Sequence, residues 1–267
     1  GARGSKGSAD WETSYKLNGN ENINSLSSRI DKKMENLEFN LLQENDGDIP
    51  ILIKLHKEPS IEKYISISEN YFEYVVSTEN VWYYKIISDN KIIGSVHLEK
   101  DNDIMYLSIC IHPQYQAKGY GKRCLKYIVG KLISGVRLIK VSIDEDNISS
   151  IRLFEGLGFI LIGKEGTLRN YEKIIFTTIT ACGECCVGCK KKESGFCKGC
   201  IESDGHCEEW AQSKGCPIYK CAKEHSVQFC GLCSDFPCTW LREKVTWNPN
   251  IVEHLTELAR LYQKEKN

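Results

Sequence analysis

Gln116-Ala117-Lys118-Gly119-Tyr120-Gly121 sits between an apolar run, residues 106–113, and a helical pattern that begins near Lys122. The order is a strand, a tight glycine turn and a helix N-terminus. The first turn of a helix leaves backbone N–H groups without intrahelical partners, and the aligned peptide dipoles put positive potential there. Glycines at such a turn let the backbone approach a pyrophosphate with no Cβ in the way. Glycines between a strand and a helix also serve as plain turns. The loop therefore takes its meaning from its flanks, Ile109-Cys110-Ile111-His112-Pro113 before it and the stretch from Asn147 to Phe159 after it.

Working outward, residues 81–88 and 91–100 read as two strands joined by Asp89-Asn90, a polar pair suited to a hairpin turn. Asp101-Asn102-Asp103 makes another turn before a third strand, residues 104–112. This antiparallel meander leads into the glycine loop. Residues 120–134 then supply a helix, 138–143 a strand, and 149–157 a helix with Gly158 at its C-terminal cap position. Residues 159–164 and 170–180 complete the sheet. Upstream, residues 38–43 read as a first strand, and 51–56 and 61–76 as apolar segments, the longer one an amphipathic helix. The aromatic side chains Tyr64, Tyr71, Phe72 and Tyr74 there either line a pocket or, as is commoner for aromatics at helical spacing, form core. The pattern predicts a mixed α/β sheet flanked by helices.

Two motifs resemble those of the GNAT acyltransferases. Residues 109–121 are similar to the family's motif A, with Gln116-x-x-Gly119-x-Gly121 matching its R/Q-x-x-G-x-G/A loop, and residues 147–159 are similar to its motif B. The resemblance covers roughly residues 37–180 and implies a mixed, mostly antiparallel sheet that uses acetyl-CoA or a close acyl-CoA. It implies that the backbone of Ile109, Cys110 and Ile111 pairs with the pantetheine as an added strand, in an opening between this strand and the one at 138–143. Gln116, Ala117, Lys118, Gly119, Tyr120 and Gly121 would cradle the pyrophosphate, with Lys118, Lys122 and Arg123 adding charge. Asn147 matches a residue that contacts the cofactor arm, and equally suits a helix N-cap.

The implied reaction is attack of a neutral amine on the thioester, which calls for a base, an oxyanion site and a proton for the leaving thiolate. The chain departs from the family twice. A tyrosine that often serves as the acid at the cofactor aligns with Phe154, which has no proton to give, and a carboxylate found in some members aligns with Ser142. Tyr171 is the candidate donor, and Glu99, Asp101 and His112 are candidate bases. A structural role competes for each.

The chain has 267 residues with 35 Lys plus Arg against 36 Asp plus Glu, so no global field favours nucleic acid or membrane. No apolar run is long enough to span a bilayer, and residues 1–30 carry no signal-peptide pattern. A cytoplasmic location is expected. Residues 1–33, rich in Gly, Ser and Asn, read as a tag or flexible extension ahead of a domain at 34–180.

Of 14 cysteines only Cys110 and Cys124 precede residue 181. The other twelve fall between Cys182 and Cys238, so a second domain is expected at 181–267. Cys182-Gly-x-x-Cys186-x-x-Cys189, Cys197-x-x-Cys200, Cys216-x-x-x-x-Cys221 and Cys230-x-x-Cys233-x-x-x-x-Cys238 are candidate ligand sets. A C-x-x-C pair brings two thiolates to one ion from a tight turn, and a second pair completes a tetrahedral set. Zinc, as two ions, is the expectation, with an iron–sulfur cluster, disulfides or free thiols as alternatives; Cys185 is the first surplus residue. The segment also resembles a small Cys-rich bacterial family of uncharacterised function, which implies metal binding. Few large aliphatics suggest that metal stands in for an apolar core.

Residues 181–267 balance twelve basic against twelve acidic side chains, so a nucleic-acid footprint is lacking and a protein or peptide contact through Trp210, Tyr219, Phe236 or Trp240 fits better. The expected partner of the whole chain is an amine-bearing acceptor, a small molecule or a protein. The competing expectation is a non-catalytic scaffold that senses acyl-CoA while its zinc module carries the interaction.

Overall fold

Alternation of apolar and polar residues dictates the sheet. In a computed structural model, which describes residues 37–266, seven strands form one sheet in the order β1-β2-β3-β4-β5-β7-β6. These are β1 (Leu37–Leu41), β2 (Val81–Ser88), β3 (Lys91–Asp101), β4 (Ile104–Ile111), β5 (Leu138–Asp144), β6 (Ile160–Glu165) and β7 (Leu168–Ile174). Every neighbouring pair is antiparallel except β4 with β5. The β2–β3 turn is made by Asp89 and Asn90 at φ 50° and 59°, the paired left-handed geometry that matches the twist of a two-residue hairpin.

One face of the sheet is apolar. Ile86, Val96, Leu98, Met105, Leu107, Ile139 and Val141 pack there against Cys124, Leu125 and Ile128 of α4 (Tyr120–Tyr127) and its extension, and against Ile151 and Phe154 of α5 (Ile148–Glu155). The opposite face of the sheet is covered by α1 (Ile49–His56), α2 (Pro59–Glu62) and α3 (Tyr71–Ser77): α1 and α3 pack on β2 through Leu52, Phe72, Val75, Val81 and Tyr83, and α2 sets Ile61 against Leu55 and Cys110. The expectation for residues 1–33 lies outside the described residues.

The structure differs from the sequence expectations at three elements. The run 61–76 is two short helices, because Ile65-Ser66-Ile67-Ser68 offers only residues of low helix propensity and Ser68 Oγ bonds the Asn70 side chain at 2.9 Å instead. The helix at 120–134 is α-helical only to Tyr127 and continues as a π turn, Ile128–Leu132. The strand expected over 170–180 ends at Ile174, since Phe176, Ile179 and Ala181 turn away into a second apolar cluster.

That second cluster belongs to the cysteine-rich segment. It joins Phe176 and Ile179 to Ile218 and Ala222 of α7 (Pro217–Glu224), Phe229, Leu241 of α8 (Thr239–Lys244), and Ile251, Leu255 and Leu258 of α9 (Ile251–Lys266); α6 (Lys190–Glu193) lies outside it. Among its members and packed neighbours there is nothing between Cys185 and Cys216. Apolar packing thus exists beside the cysteines from Ile218 onward, which the sequence expectation of a missing core did not foresee. Residues 37–267 cluster as one unit.

Candidate functional site

The β4–β5 ladder is short. Its parallel register runs only from Ile104↔Leu138 to Tyr106↔Lys140, while β4 continues to Ile111 and β5 to Asp144. Beyond Tyr106 the two strands diverge, and Ile109, Cys110 and Ile111 line the opening. β3 holds them from the other side, with Ser95↔Cys110 and Gly94↔Ile111 paired. An extended chain entering the gap would meet backbone donors and acceptors that β5 does not use.

The glycine loop closes the far end of the opening. Gln116, Ala117, Lys118 and Gly119 are all exposed. Ala117 and Gly119 have φ 56° and 81°, and Gly119 is the N-cap of α4. A side chain at Gly119 would have open space but a disfavoured backbone, so glycine there answers a conformational need. Gly121 answers a packing need, since a Cβ would come within 3.1 Å of Leu153 on α5. Gln116 Nε2 donates to the Ile111 carbonyl at 2.8 Å and Lys118 Nζ to the Gln114 carbonyl at 2.6 Å, fixing the loop's approach. Tyr120 carries the Arg123 guanidinium 4.4 Å above its ring; Lys122 is exposed.

On the face covered by α1 to α3, the polar side chains of β3 form a stripe: Ser95, His97 and Glu99, facing Cys110, Ser108 and Tyr106 of β4. Tyr71 Oη is 2.9 Å from His97 Nδ1, His97 Nε2 is 4.0 Å from Glu99 Oε2 and lacks a hydrogen-bond partner, and Tyr74 Oη donates to Glu99 at 3.1 Å. Burial lowers the His97 pKa, against the pull of Glu99, so its ring is neutral near pH 7. Below this lies a buried chain. His56 Nε2 is 3.0 Å from Tyr83 Oη, Tyr83 donates to Ser95 Oγ at 2.7 Å, and Ser95 Oγ is 3.1 Å from Cys110 Sγ.

The expected site residues divide accordingly. Ile109, Cys110, Ile111 and the loop from Gln116 to Gly121 border the opening, and Glu99 stands on β3 opposite Tyr106, where β4–β5 pairing ends. His112 stands at its rim, its Nδ1 accepting from the Gln114 N–H at 3.3 Å and its Nε2 3.7 Å from Glu58. Asn147 caps α5, accepting from the Ser150 N–H at 3.2 Å. Phe154 is core, edge-on to Phe159 at 5.0 Å. Tyr171 stands apart from the opening, in the core of the sheet. It has no exposed surface, belongs to the apolar face, and its hydroxyl donates to Glu155 at 3.1 Å. Asp101 ends β3. His97 was missed, although Ser95-x-His97-x-Glu99 alternates with buried Val96 and Leu98 and so marks a polar face.

Residues 50–159 match the model of the acetyltransferase (GNAT) family. Residues 37–174 have the GNAT fold. Solved structures similar to this GNAT sheet include a domain from Methanocaldococcus jannaschii, 27% identical, over 52% of this chain and 99% of that one, with TM-score 0.45. A spermidine N-acetyltransferase from Vibrio cholerae in complex with CoA and spermine is 18% identical over 52% and 96%, TM-score 0.44. A Campylobacter jejuni N-acetyltransferase in complex with acetyl coenzyme A is 16% identical over 52% and 99%, TM-score 0.42. No curated protein matches the chain.

The cysteine-rich segment lies beyond the family-model match. All twelve of its thiols are free and half-buried, an environment between inert core and open surface. Cys197 Sγ accepts from the Gly199 and Glu208 N–H groups at 3.3 Å each, Cys185 Sγ from Val187 at 3.4 Å and Cys238 Sγ from Leu241 at 3.4 Å. Amide donors aimed at sulfur suit a thiolate, and hence a metal-bound one. Cys200 hydrogen-bonds both Cys186, whose pKa it lowers, and Cys207. Cys207, outside the expected ligand sets, is brought by the fold to Cys200. His225, Cys233 and Asp235 also lie within 4.8 Å of one another. A soft, sulfur-rich donor set of this kind fits zinc. No helix among the described residues is long and apolar enough to cross a membrane.

Proposed function

We propose that residues 37–174 transfer an acetyl group from acetyl-CoA to a primary amine of a small molecule or a protein, and that the cysteine-rich segment binds zinc. The observation that carries the first part is the end of β4–β5 pairing at Tyr106↔Lys140, immediately before Ile109-Cys110-Ile111 and in line with the glycine loop. The backbone of those three residues takes the pantetheine as an added strand. Amide groups at the start of α4, with Lys118 and Lys122 near them, take the pyrophosphate.

The amine arrives from the face that holds His97 and Glu99. Its nitrogen attacks the thioester carbonyl carbon; the C–N bond forms as the C–S bond breaks. His97 Nε2, neutral and without a hydrogen-bond partner, accepts the ammonium proton, with Glu99 4.0 Å away to steady the charge. Solvent supplies the proton for the departing thiolate. The acceptor, cytoplasmic location and use of two zinc ions belong to the same reading, and the neutral charge balance of the cysteine-rich segment supports a protein rather than a nucleic-acid contact for it.

Calorimetric titration of zinc-loaded protein with acetyl-CoA, with CoA as the control, tests this. Binding in the micromolar range that is lost in Gly119→Val is expected, followed by product on an amine panel read by mass spectrometry. Absence of binding by folded protein sinks the reading. Binding without turnover on the whole panel would leave the acyl-CoA-sensing scaffold in its place.

A further inference from the structure

The twelve clustered cysteines do not contribute alike to one cavity. Cys221 projects from α7, Cys230 and Cys233 bracket a single 3₁₀ turn, and Cys238 caps α8. All four thiol-bearing residues line the same small cavity, walled by Phe236 and Trp240 and with ≈ 20 Å³ of free space. That is room for one water-sized body. From these residues we infer a tetrathiolate zinc site made by Cys221, Cys230, Cys233 and Cys238, which rests on the reading that this segment carries zinc and goes beyond it in assigning the ligands.

His225 borders the same cavity, one helical turn after Cys221, and has to be weighed as a ligand. Its Nδ1 lies 3.0 Å from the Cys221 carbonyl oxygen and 3.7 Å from Cys221 Sγ, and its Nε2 lies 3.4 Å from Asp235 Oδ2. Asp235 is largely exposed and faces outward, whereas the four cysteines are half-buried. The four cysteines that line the cavity are the set assigned, and His225, which with Cys233 and Asp235 forms the compact donor group among the described residues, is the competing ligand that the test has to exclude. Four thiolates around a d¹⁰ ion need no geometry beyond the tetrahedron, and here one turn supplies two of them, the body of α7 one and the N-cap of α8 one. Binding releases the thiol protons to the buffer.

The location gives the ion a structural consequence. Cys230 N–H donates to the Ala181 carbonyl at 2.9 Å, tying the turn to the chain that leaves the sheet. A Cβ on Gly231, between the paired cysteines, would overlap the Leu255 carbonyl oxygen of α9. The metal turn is thus packed directly on the backbone of α9. An ion there joins α7, α8 and the seat of α9 in one cross-link.

The test uses the full chain, purified reduced and loaded with zinc. Cysteines are alkylated, and labelled positions are mapped by mass spectrometry before and after addition of a chelator. Cys221, Cys230, Cys233 and Cys238 are expected to react more than about tenfold faster once zinc is removed, all over the same chelator range. His225→Ala is expected to keep the zinc content of the parent. Free labelling of any of the four in a chain that holds zinc elsewhere overturns the assignment alone. Loss of one zinc equivalent in His225→Ala would overturn it too, in favour of a mixed set, and a zinc-free chain would overturn the zinc reading with it.

Discussion

The sheet and the cysteine-rich segment solve the same problem, holding a site in shape, by opposite means. In the sheet, ladders of backbone hydrogen bonds and a continuous apolar face position the β4–β5 opening, and the site itself is mostly backbone. In the segment from Cys182 to Cys238 the described residues form no ladder, only one isolated bridge, Ile179↔Cys185, and the helices are eight residues or shorter. There the side chains carry the order. The comparison teaches where each half is vulnerable: the first to cavities and buried charge, the second to the chemistry of sulfur.

The largest effect in the sheet half is expected at Tyr171. Its ring is fully buried on the apolar face, so Tyr171→Ala should cost about 3–5 kcal/mol in chemical denaturation. Tyr171→Phe removes only the hydroxyl bonded to Glu155 and should cost about 0.5–1.5 kcal/mol. Tyr171→Phe should also leave turnover and its pH profile unchanged. A profile that loses its alkaline limb in Tyr171→Phe would return this residue to the role of proton donor and break the division between core face and acceptor face.

Legibility in the sequence follows the same division. The glycine loop and the hairpin at Asp89-Asn90 were readable because their constraints are local: a left-handed residue, a turn, a helix start. The acceptor side was not, because Tyr71, His97 and Glu99 come from α3 and β3 and meet only when the helices fold over the sheet. Glu99 was found as a bare carboxylate, without its neighbours. The placement of Tyr171 in the core was not legible, because the strand's period gives two faces and cannot say which one is apolar until β5 and β6 are placed beside it. Among the cysteines, spacing identified pairs, but Cys207 needed the fold to bring it to Cys200, and Cys185, set aside as surplus, accepts an amide hydrogen bond like its neighbours.

A second effect should appear in the dependence of stability on pH. Burial, aided by the charge of His97, lowers the His56 pKa from 6.5 to about 4. Above pH 6.5 both folded and unfolded chains keep this ring neutral, so it contributes no pH dependence. As the pH falls below 6.5 the unfolded chain takes up a proton that the folded chain refuses, and stability drops until the folded pKa is reached. The loss between pH 6.5 and 4 amounts to at most about 3 kcal/mol. His56→Gln should flatten that part of the profile when unfolding is followed by fluorescence. An unchanged slope would show that His56 is already solvated, and with it the chain through Tyr83 and Ser95 to Cys110.

The smallest effect should come where the two halves touch. Lys173 of β7 is buried and pairs with Glu265 near the end of α9 at 2.5 Å, beside Gly158, where a Cβ would lie 3.1 Å from Glu265 and 3.2 Å from Lys173. Glu265 is itself one-third exposed, so solvent shares in the pairing and the full cost of a buried ion pair does not apply. Glu265→Gln leaves a buried ammonium short of its counter-charge and should destabilise the sheet by about 1–3 kcal/mol. The double variant with Lys173→Met removes the stranded charge and should recover part of that loss, because an apolar side chain at a covered position needs no partner. Recovery in the double variant, read by denaturation of both singles and the double, would mean that α9 contributes to the sheet through this contact. Purely additive losses would mean that the two halves are energetically separate here, with α9 anchored only at its other end by Leu255 over the cysteine turn.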